Sequence, residues 1–292
     1  MKYAYFNSCS LRATGKEYSH SLRRVFDILG IELEEPKNWV CCGSTLAHNA
    51  SVLLADALPL KNLAEIQKMG LNEVVVPCTA CFNRFKVAQH EDEGDLRLKR
   101  EIEEIIEHKF ERPVSVIHPL ELLSTEENLA KLKSLVKRDL SHLKVVSYYG
   151  CLLVRPHKET GFHDNPEYPV TMDKILGAVG ISTLDWSHKV ECCGGSLSLT
   201  RPDAVMKLTS RILDDAKAVG AAAVSVPCTF CQLNLDLRQE DLNKQGGDYN
   251  LPVFYFTELL ALALGVPEKE LMLDKHFVEN EGLLVKAALN GR

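Results

Sequence analysis

The sequence predicts an α/β fold of two pseudo-symmetric, Rossmann-like parallel-sheet repeats, each with one site of five cysteines. The first supporting observation is length, because 292 residues correspond to about two domains of ordinary size. The second is that the cysteine motifs of the first half recur in the second half. The third is that short apolar segments alternate with segments of helical periodicity, which is typical of βαβ units.

The repeat is visible in three pairs of segments that occur in the same order in both halves. The matched segments are residues 5–9 with 147–151, residues 40–44 with 191–195, and residues 75–81 with 225–231. Each half contains five of the ten cysteines, so none is left over. We therefore expect two domains, residues 1–143 and residues 144–292, the second of which includes a C-terminal tail.

In the first half, helices and strands alternate. Tyr18, Leu22, Val25 and Leu29 fall at helical spacing, and Gly30 stands where a helix C-cap is expected. The predicted strands are residues 3–6, 31–35, 73–77 and 114–117, and the predicted helices cover about residues 18–29, 50–69 and 98–110 and begin again at 120.

The second half repeats this order. The predicted strands are residues 145–149, 223–226 and 253–256, and the predicted helices cover about residues 171–180 and 202–219 and begin again at 258. The segment after Pro267 has no counterpart in the first half. It is either a tail that docks a partner or a terminal wrap around the domain.

Composition excludes several classes of function. The net charge of −6 argues against binding to nucleic acid, which requires a basic surface. The longest apolar runs, such as residues 259–266, are far shorter than the ~20 residues of a membrane helix. The first residues lack the apolar core of a secretory signal. We expect a cytoplasmic protein that contacts neither membrane nor nucleic acid.

The cysteines follow predicted strands, and functional groups of a parallel sheet gather at the carboxyl ends of its strands. The two predicted sets are Cys9, Cys41, Cys42, Cys78 and Cys81 in the first half, and Cys151, Cys192, Cys193, Cys228 and Cys231 in the second. In a reducing compartment, such clustering indicates metal binding or catalysis rather than disulfides.

Three chemistries remain open for each set. Structural zinc takes four ligands and would leave one thiol over. A redox dithiol would use the Cys-x-x-Cys pair and leave three thiols without a role. An iron–sulfur cluster suits soft thiolate ligands and has room for a fifth sulfur near four ligands. Thr79 and Thr229, inside the Cys-x-x-Cys motifs, are expected to be helix N-caps or to donate hydrogen bonds to sulfur.

The full spacing adds a resemblance. The halves read Cys-x31-Cys-Cys-Gly-x34-Cys-x-x-Cys and Cys-x40-Cys-Cys-Gly-x33-Cys-x-x-Cys. This pattern, along almost the whole chain, resembles the tandem cysteine-rich CCG-repeat family, and in layout the B subunit of the soluble heterodisulfide reductase of methanogens. The resemblance implies two non-cubane [4Fe–4S] clusters, each held by the five cysteines of one repeat. It also implies that these ten cysteines are catalytic, in reduction of the coenzyme M–coenzyme B disulfide to two thiols.

The resemblance further implies partners. In the family, an iron–sulfur C subunit delivers electrons and connects to a flavin-containing A subunit, and we expect the complex to be coupled to a hydrogenase or formate dehydrogenase. The alternative is an electron-relay subunit of another complex of the same family, of the quinone, fumarate or hydroxyacid dehydrogenase type. No ferredoxin-type cysteine run is present in this sequence, which favours a separate subunit that receives electrons from a partner.

The implied substrate carries sulfonate, phosphate and carboxylate groups, so cations near the cysteines are candidate ligands. The candidates are Arg155 and His157, which follow Cys151 closely, then Arg12 and Arg201, and also Lys16, His48 and Lys158. His118 begins a predicted helix after a strand. It is either a proton donor to a product thiolate or, as the pattern favours, a helix cap in the core.

Overall fold

A computed structural model describes residues 1–44 and 47–280 of the chain. In the first half the strands are β1 (Lys2–Tyr5), β2 (Glu32–Glu34), β3 (Glu73–Val75) and β4 (Ser115–Ile117). The helices are α1 (Cys9–Arg12), α2 (Lys16–Leu29), α3 (Ala47–Ala50), α4 (Val52–Lys68), α5 (Thr79–Gly94), α6 (Leu96–Ile105), α7 (Pro119–Leu123) and α8 (Glu126–Ser134).

The second half has the same plan. Its strands are β5 (Lys144–Ser147), β6 (Ser182–Thr183), β7 (Ala223–Val226) and β8 (Val253–Tyr255). Its helices are α9 (His157–Thr160), α10 (Thr171–Ala178), α11 (Pro202–Ala218), α12 (Thr229–Lys244) and α13 (Phe256–Ala263). Three short 3₁₀ turns lie at Gly195–Leu197, Glu268–Glu270 and Leu273–Lys275.

Each half contains one four-stranded sheet in which every strand pair is parallel. The strand orders are β2-β1-β3-β4 and β6-β5-β7-β8, so the two sheets share one topology. Ala4 of β1 pairs with Val74 of β3, and Val145 of β5 pairs with Ala223 of β7. The predicted α/β class with two parallel-sheet repeats is confirmed. The boundary at residues 143 and 144 remains a prediction.

The predicted strands and most predicted helices are present, with ends shifted by a few residues. For two long helices, α5 and α12, only N-caps at Thr79 and Thr229 were predicted and not the helices' extents, and the two-residue strand β6 was not predicted. Both helices begin inside a Cys-x-x-Cys motif and show no single apolar face, because they are covered by packing on several sides. Helical periodicity therefore gave no signal there.

The two halves share a continuous apolar core. Helix α2 of the first half packs against α13 of the second, and α10 of the second packs against α7 and α8 of the first. Helices α2 and α10 each connect the first two strands of their sheet, and α7 and α13 each follow the fourth strand, so the two packings are pseudo-symmetric. We call this junction the seam.

The seam is tightly packed at α2 and α13. The rings of Tyr18 and Tyr255 stack with centroids 4.5 Å apart and an interplanar angle of 6°. The hydroxyls of Ser21 and Thr257 lie 2.7 Å apart and are fully buried. These contacts join residues that are far apart in sequence, which is why self-comparison of the chain could not find them.

The segment after Pro267 wraps the second half as far as the structure describes it. Leu271, Leu273 and Val278 are buried, and the backbone N–H groups of Phe277 and Val278 donate to Asp236 of α12. Of the two alternatives for this segment, the terminal wrap holds for residues 268–280. The remaining residues, 281–292, lie outside the described part. Within residues 1–44 and 47–280, none of the helices has the length and apolar character needed to cross a bilayer.

Candidate metal centres

The topology brings the cysteines of each half to one edge of its sheet. In the strand order β2-β1-β3-β4, the chain leaves β1 toward β2 and leaves the neighbouring β3 toward β4, so the two connections diverge. The crevice between these two diverging loops is the usual ligand site of such folds. Cys9 follows β1, and Cys78 and Cys81 follow β3. Cys41 and Cys42 follow β2 at the same carboxyl edge. The second half places its five cysteines in the corresponding positions.

In the first set, the sulfurs approach one another closely. Cys42 Sγ and Cys81 Sγ lie 2.9 Å apart and are buried, as is Cys78. Cys9 and Cys41 are exposed, so the set runs from the core to the surface. All are free thiols.

The second set repeats this gradient. Cys193 Sγ and Cys231 Sγ lie 3.7 Å apart in the core, Cys228 is buried beside them, Cys151 is half-buried and Cys192 is exposed. The side-chain amide of Asn234 donates to the carbonyl of Cys193 over 3.0 Å and holds the loop. Asn234 was not singled out from the sequence, because an asparagine within a helix carries no motif.

Glycines shape the loops that carry the cysteines. Gly43 and Gly194, after the paired cysteines, both have φ of +77°, a conformation that residues with a Cβ rarely adopt. Their N–H groups donate to Cys41 Sγ over 3.4 Å and to Cys192 Sγ over 3.3 Å. Gly150 has φ of +68°, and a Cβ there would stand 2.8 Å from Cys231 Sγ.

Within each set the thiols form hydrogen bonds with one another, and these bonds lower the pKa of some thiols and raise the pKa of others. A hydrogen bond from Cys41 holds the pKa of Cys42 well below its ordinary value, and one from Cys81 lowers the pKa of Cys78 to about 7. In the second set, Cys151 lowers the pKa of Cys192 to about 6 and Cys231 lowers that of Cys193. Each set thus contains two thiols disposed to ionise, the form that binds a metal.

The five thiols of each set are soft ligands, which suit a cofactor that is held by several sulfurs. Each set contains thiols alone, with neither carboxylate nor imidazole among them, and thiolates suit iron–sulfur centres. In the described ranges, no three Cys, His or acidic side chains are arranged to hold a single metal ion. The sulfurs instead approach in pairs.

The two Cys-x-x-Cys turns approach each other. Cys78 and Cys228 are the N-cap residues of α5 and α12, so Thr79 and Thr229 are the first helical residues and not the N-caps that the sequence suggested. The reason is that the helices begin one residue earlier than expected. Thr229 Oγ1 lies 3.7 Å from Cys78 Sγ of the opposite repeat, in line with the other expectation for this threonine.

Three of the predicted substrate cations form ion pairs with acidic side chains. Arg12 contacts Glu35 at 2.5 Å, Arg155 contacts Glu167 at 2.6 Å, and Arg201 contacts Asp203 at 3.0 Å. The other exposed candidates are His157 and Lys158 at the start of α9, and Lys16 at the start of α2. The His48 side chain lies outside the described residues. Their role in binding remains a prediction.

His118 is a buried helix cap. Its Nδ1 accepts the N–H of Leu120 over 3.2 Å, and its Nε2 lies 3.1 Å from the carbonyl of Pro77. Burial lowers the pKa of His118 to about 3, so the ring is neutral and donates through Nε2. This geometry supports the cap and core alternative over the proton donor.

The fold and the paired thiol sites define a two-repeat, cysteine-rich α/β protein. The family model described as "CCG: Cysteine-rich domain" matches residues 3–86 and 145–236. The chain belongs to this family of cysteine-rich CCG-domain proteins.

Several relatives align along most of the chain. The 8-methylmenaquinol:fumarate reductase membrane anchor subunit of Wolinella succinogenes is 31% identical over 95% of this chain and 97% of its own. The B subunit of the ferredoxin/F(420)H(2)-dependent CoB-CoM heterodisulfide reductase of Methanosarcina acetivorans is 29% identical over 79% and 78%. A protein of Archaeoglobus profundus, named as similar to the heterodisulfide reductase B subunit, is 28% identical over 92% and 93%. The resemblance to the heterodisulfide reductase B subunit is confirmed.

One solved structure has the same fold. A hypothetical protein from Helicobacter pylori matches with a TM-score of 0.76 at 11% identity, over 96% of this chain. This chain spans about half of that protein, since the match covers 52% of it. At this identity, the likeness concerns the fold alone.

Proposed function

We propose that this chain is an iron–sulfur subunit of an oxidoreductase complex and that its ten cysteines hold two clusters. One would be held by Cys9, Cys41, Cys42, Cys78 and Cys81, and the other by Cys151, Cys192, Cys193, Cys228 and Cys231. The grouping of five free thiols at each sheet edge supports this, as do relatives named as reductase subunits. From the family resemblance, we propose non-cubane [4Fe–4S] clusters.

The proposed reaction is reduction of a mixed disulfide of the coenzyme M–coenzyme B class to two thiols. The observation that carries it is the approach of the two Cys-x-x-Cys turns, where Cys78 Sγ of the first lies 3.7 Å from the Oγ1 of Thr229, the residue after Cys228 of the second. When bound, the clusters would supply single electrons, and splitting a disulfide requires two. Two such sites side by side suit one bond between them.

The loops beside the sites would orient the substrate. Arg155 contacts the backbone carbonyl of Val190 over 3.3 Å and an exposed Glu167, which a substrate anion could displace. We expect Arg155→Ala to raise the KM for the disulfide, because a bidentate contact to an oxyanion is lost. Arg24→Ala, at an exposed ion pair with Glu270 and outside the candidate substrate cations, is the comparison. An unchanged KM in Arg155→Ala removes this residue from the site.

The proposal includes partners and a location. A chain of this kind needs an electron donor, which we propose to be an iron–sulfur C subunit linked to a flavin-containing A subunit, and through them a hydrogenase or formate dehydrogenase. Relatives named as subunits of reductases support assembly into a complex. We propose a cytoplasmic location.

The decisive experiment measures iron, zinc and acid-labile sulfide per chain on protein purified without oxygen. About eight iron and eight sulfide are expected for two four-iron clusters. About two zinc without sulfide, as in closed thiolate sites, would contradict the proposal. The reduced protein is then mixed with heterodisulfide and an artificial electron donor, and thiol release is followed.

A second candidate is an electron relay between a quinol and a fumarate reductase. It is favoured by the Wolinella relative, whose identity of 31% and coverage of 95% of this chain exceed those of the M. acetivorans relative. The acidic partners of Arg12, Arg155 and Arg201 also leave less positive charge for an anionic substrate. A chain with both clusters that oxidises a quinol through a partner, but leaves heterodisulfide intact, would establish the relay.

A further inference from the structure

The backbone that carries Cys151 is held on both sides of this cysteine. On the upstream side, the Tyr148 hydroxyl donates to the carbonyl of Glu191 over 2.6 Å. The N–H of Gly150 donates to the carbonyl of Lys189 over 3.2 Å. These bonds join the end of β5 to the segment that leads to the paired cysteines of the same repeat. The upstream side of Cys151 is therefore held by its own repeat.

The downstream side is held by the other repeat. The side-chain amide of Asn83, a buried residue of α5, donates to the carbonyls of Leu152 over 2.9 Å and Arg155 over 2.8 Å. Within this turn, the N–H groups of Val154 and Arg155 donate to the carbonyl of Cys151 over 3.3 Å and 3.0 Å. Both hydrogens of one amide of the first repeat thus bind the turn that begins at Cys151.

The second repeat does not return this support at the equivalent position. Helices α5 and α12 start at equivalent cysteines, so Leu233 of α12 corresponds to Asn83 of α5, and a leucine side chain has no hydrogen to donate. The turn after Cys9 is closed by its own backbone, where the N–H of Gly15 donates to the carbonyl of Ser10 over 2.9 Å. The two repeats match in their cysteines but differ in what fixes the turn after the first one.

We propose that Asn83 is a positioning residue of the second metal centre, through which the first repeat controls whether the second cluster is retained. The inference rests on the proposed function, in which the five thiols of each repeat hold one cluster. Groups that hydrogen-bond behind metal ligands typically change metal affinity about 10–100-fold. Removing the Asn83 amide should therefore release the second cluster and spare the first.

The test is Asn83→Asp, which keeps the shape of the side chain and replaces its donor with an oxygen that faces two carbonyls. We expect iron and sulfide per chain to fall to about half of the wild-type values, because one of two four-iron clusters is lost. Gln89→Ala on the same helix is the control, since its amide donates to the carbonyl of Val114 within the first repeat. Wild-type iron content in Asn83→Asp overturns the proposal.

Two double variants identify which cluster is lost. Asn83→Asp combined with Cys81→Ser should contain almost no iron, because each change empties a different site. Asn83→Asp combined with Cys231→Ser should keep about half of the wild-type iron, because both changes empty the same site. The reverse result would mean that Asn83 supports only its neighbour Cys81, and would overturn the proposal.

A measurement on metal-free protein tests the positioning without any cluster. We expect hydrogen exchange at the amides of Val154 and Arg155 to be about tenfold faster or more in Asn83→Asp than in the wild type. Exchange at Gly15 and in β1 and β3 should be unchanged, which also shows that the variant is folded. Unchanged exchange at Val154 and Arg155 would contradict the proposal. A wild type without iron and sulfide would contradict the proposed function instead, and these exchange rates would still decide whether Asn83 holds the turn.

Discussion

At the scale of single residues, each set of cysteines spans a gradient of exposure and of acidity. Cys42 and Cys81 are buried and nearly in contact, whereas Cys9 and Cys41 reach the surface. Because hydrogen bonds between thiols lower one pKa and raise the other, part of each set is ready to ionise before a metal arrives.

Replacing one buried ligand tests the two-site hypothesis. We expect Cys81→Ser to remove the cluster of the first repeat and leave the second, because serine is a hard and poorly ionised ligand. Iron and sulfide per chain should fall to about half of the wild-type value. Cys231→Ser is the matched change in the other repeat. Two variants with wild-type iron content would rule out these cysteines as ligands.

Gly150 offers a test of the space around the sulfur. Gly150→Ala forces a Cβ to within 2.8 Å of Cys231 Sγ and adds a side chain at φ of +68°. We expect a loss of about 1–2 kcal/mol from the backbone conformation alone, and a lower cluster content. Unfolding in urea and metal analysis measure both.

Gly177→Ala is the control for this change, because a Cβ there meets nothing within 4 Å and the residue is helical. Alanine should raise stability at this position by about 1 kcal/mol or less. If Gly150→Ala and Gly177→Ala had equal effects on unfolding free energy and on cluster content, the close approach of a Cβ to Cys231 Sγ would have no effect on either quantity.

At the scale of elements, helices α5 and α12 connect the two sites to the core. The first cysteine of each Cys-x-x-Cys motif is the N-cap of its helix, so the positive end of the helix dipole lies at the motif. Asn83, one turn into α5, donates to the carbonyls of Leu152 and Arg155 and so fixes the loop after Cys151. One helix therefore supports both sites.

The C-terminal segment should respond to pH. Burial alone would lower the pKa of His276, but the charge of Glu258, with Asp236 and Glu17, outweighs it and raises the pKa to about 9. The folded chain therefore binds this proton more tightly than the unfolded chain, whose histidine titrates near 6.5. The contribution to stability is full below pH 6.5 and is lost as pH rises through about 9.

His276→Gln is the corresponding variant. It should be less stable than the wild type near pH 6, and the difference should shrink as pH rises to about 10. Urea unfolding across this range measures it, with His163→Gln, a half-exposed histidine near Glu121, as control. A difference that is constant with pH would show that the ion pair with Glu258 contributes nothing.

At the scale of the whole molecule, the seam makes one folding unit of two repeats. The core is continuous across them, and the stacked rings of Tyr18 and Tyr255 join one repeat to the other. We expect Tyr18→Ala to destabilise the protein by about 3–5 kcal/mol, as for other large buried aromatics. Hydrogen exchange should then accelerate in β1 and β3 and equally in β5 and β7.

Leu96→Ala provides the comparison for this experiment, because its side chain is largely exposed at the start of α6. Its effect should stay within about 0.5 kcal/mol. Faster exchange confined to the first sheet in Tyr18→Ala would show that the repeats unfold independently, and would favour the division at residues 143 and 144 as a true domain boundary.

The amino-acid sequence by itself determined the class of fold, the duplication and the candidate ligands. Apolar runs and helical spacing involve residues that are close in sequence, so they can be recognised without a structure. The cysteine spacing is preserved between the two halves, so the duplication can be recognised by comparing the chain with itself. The extents of helices α5 and α12 were not predicted. These helices are packed on several sides and therefore lack the single apolar face that gives helical periodicity.

Only the tertiary structure decided how the two repeats face each other. The approach of Thr229 to Cys78, the stack of Tyr18 on Tyr255 and the hydrogen bond from Asn83 to Leu152 each join residues from opposite halves of the chain. The acidic partners of Arg12, Arg155 and Arg201 were equally invisible. The contacts between the halves depend on how side chains pack across the seam, and no local pattern of sequence encodes them.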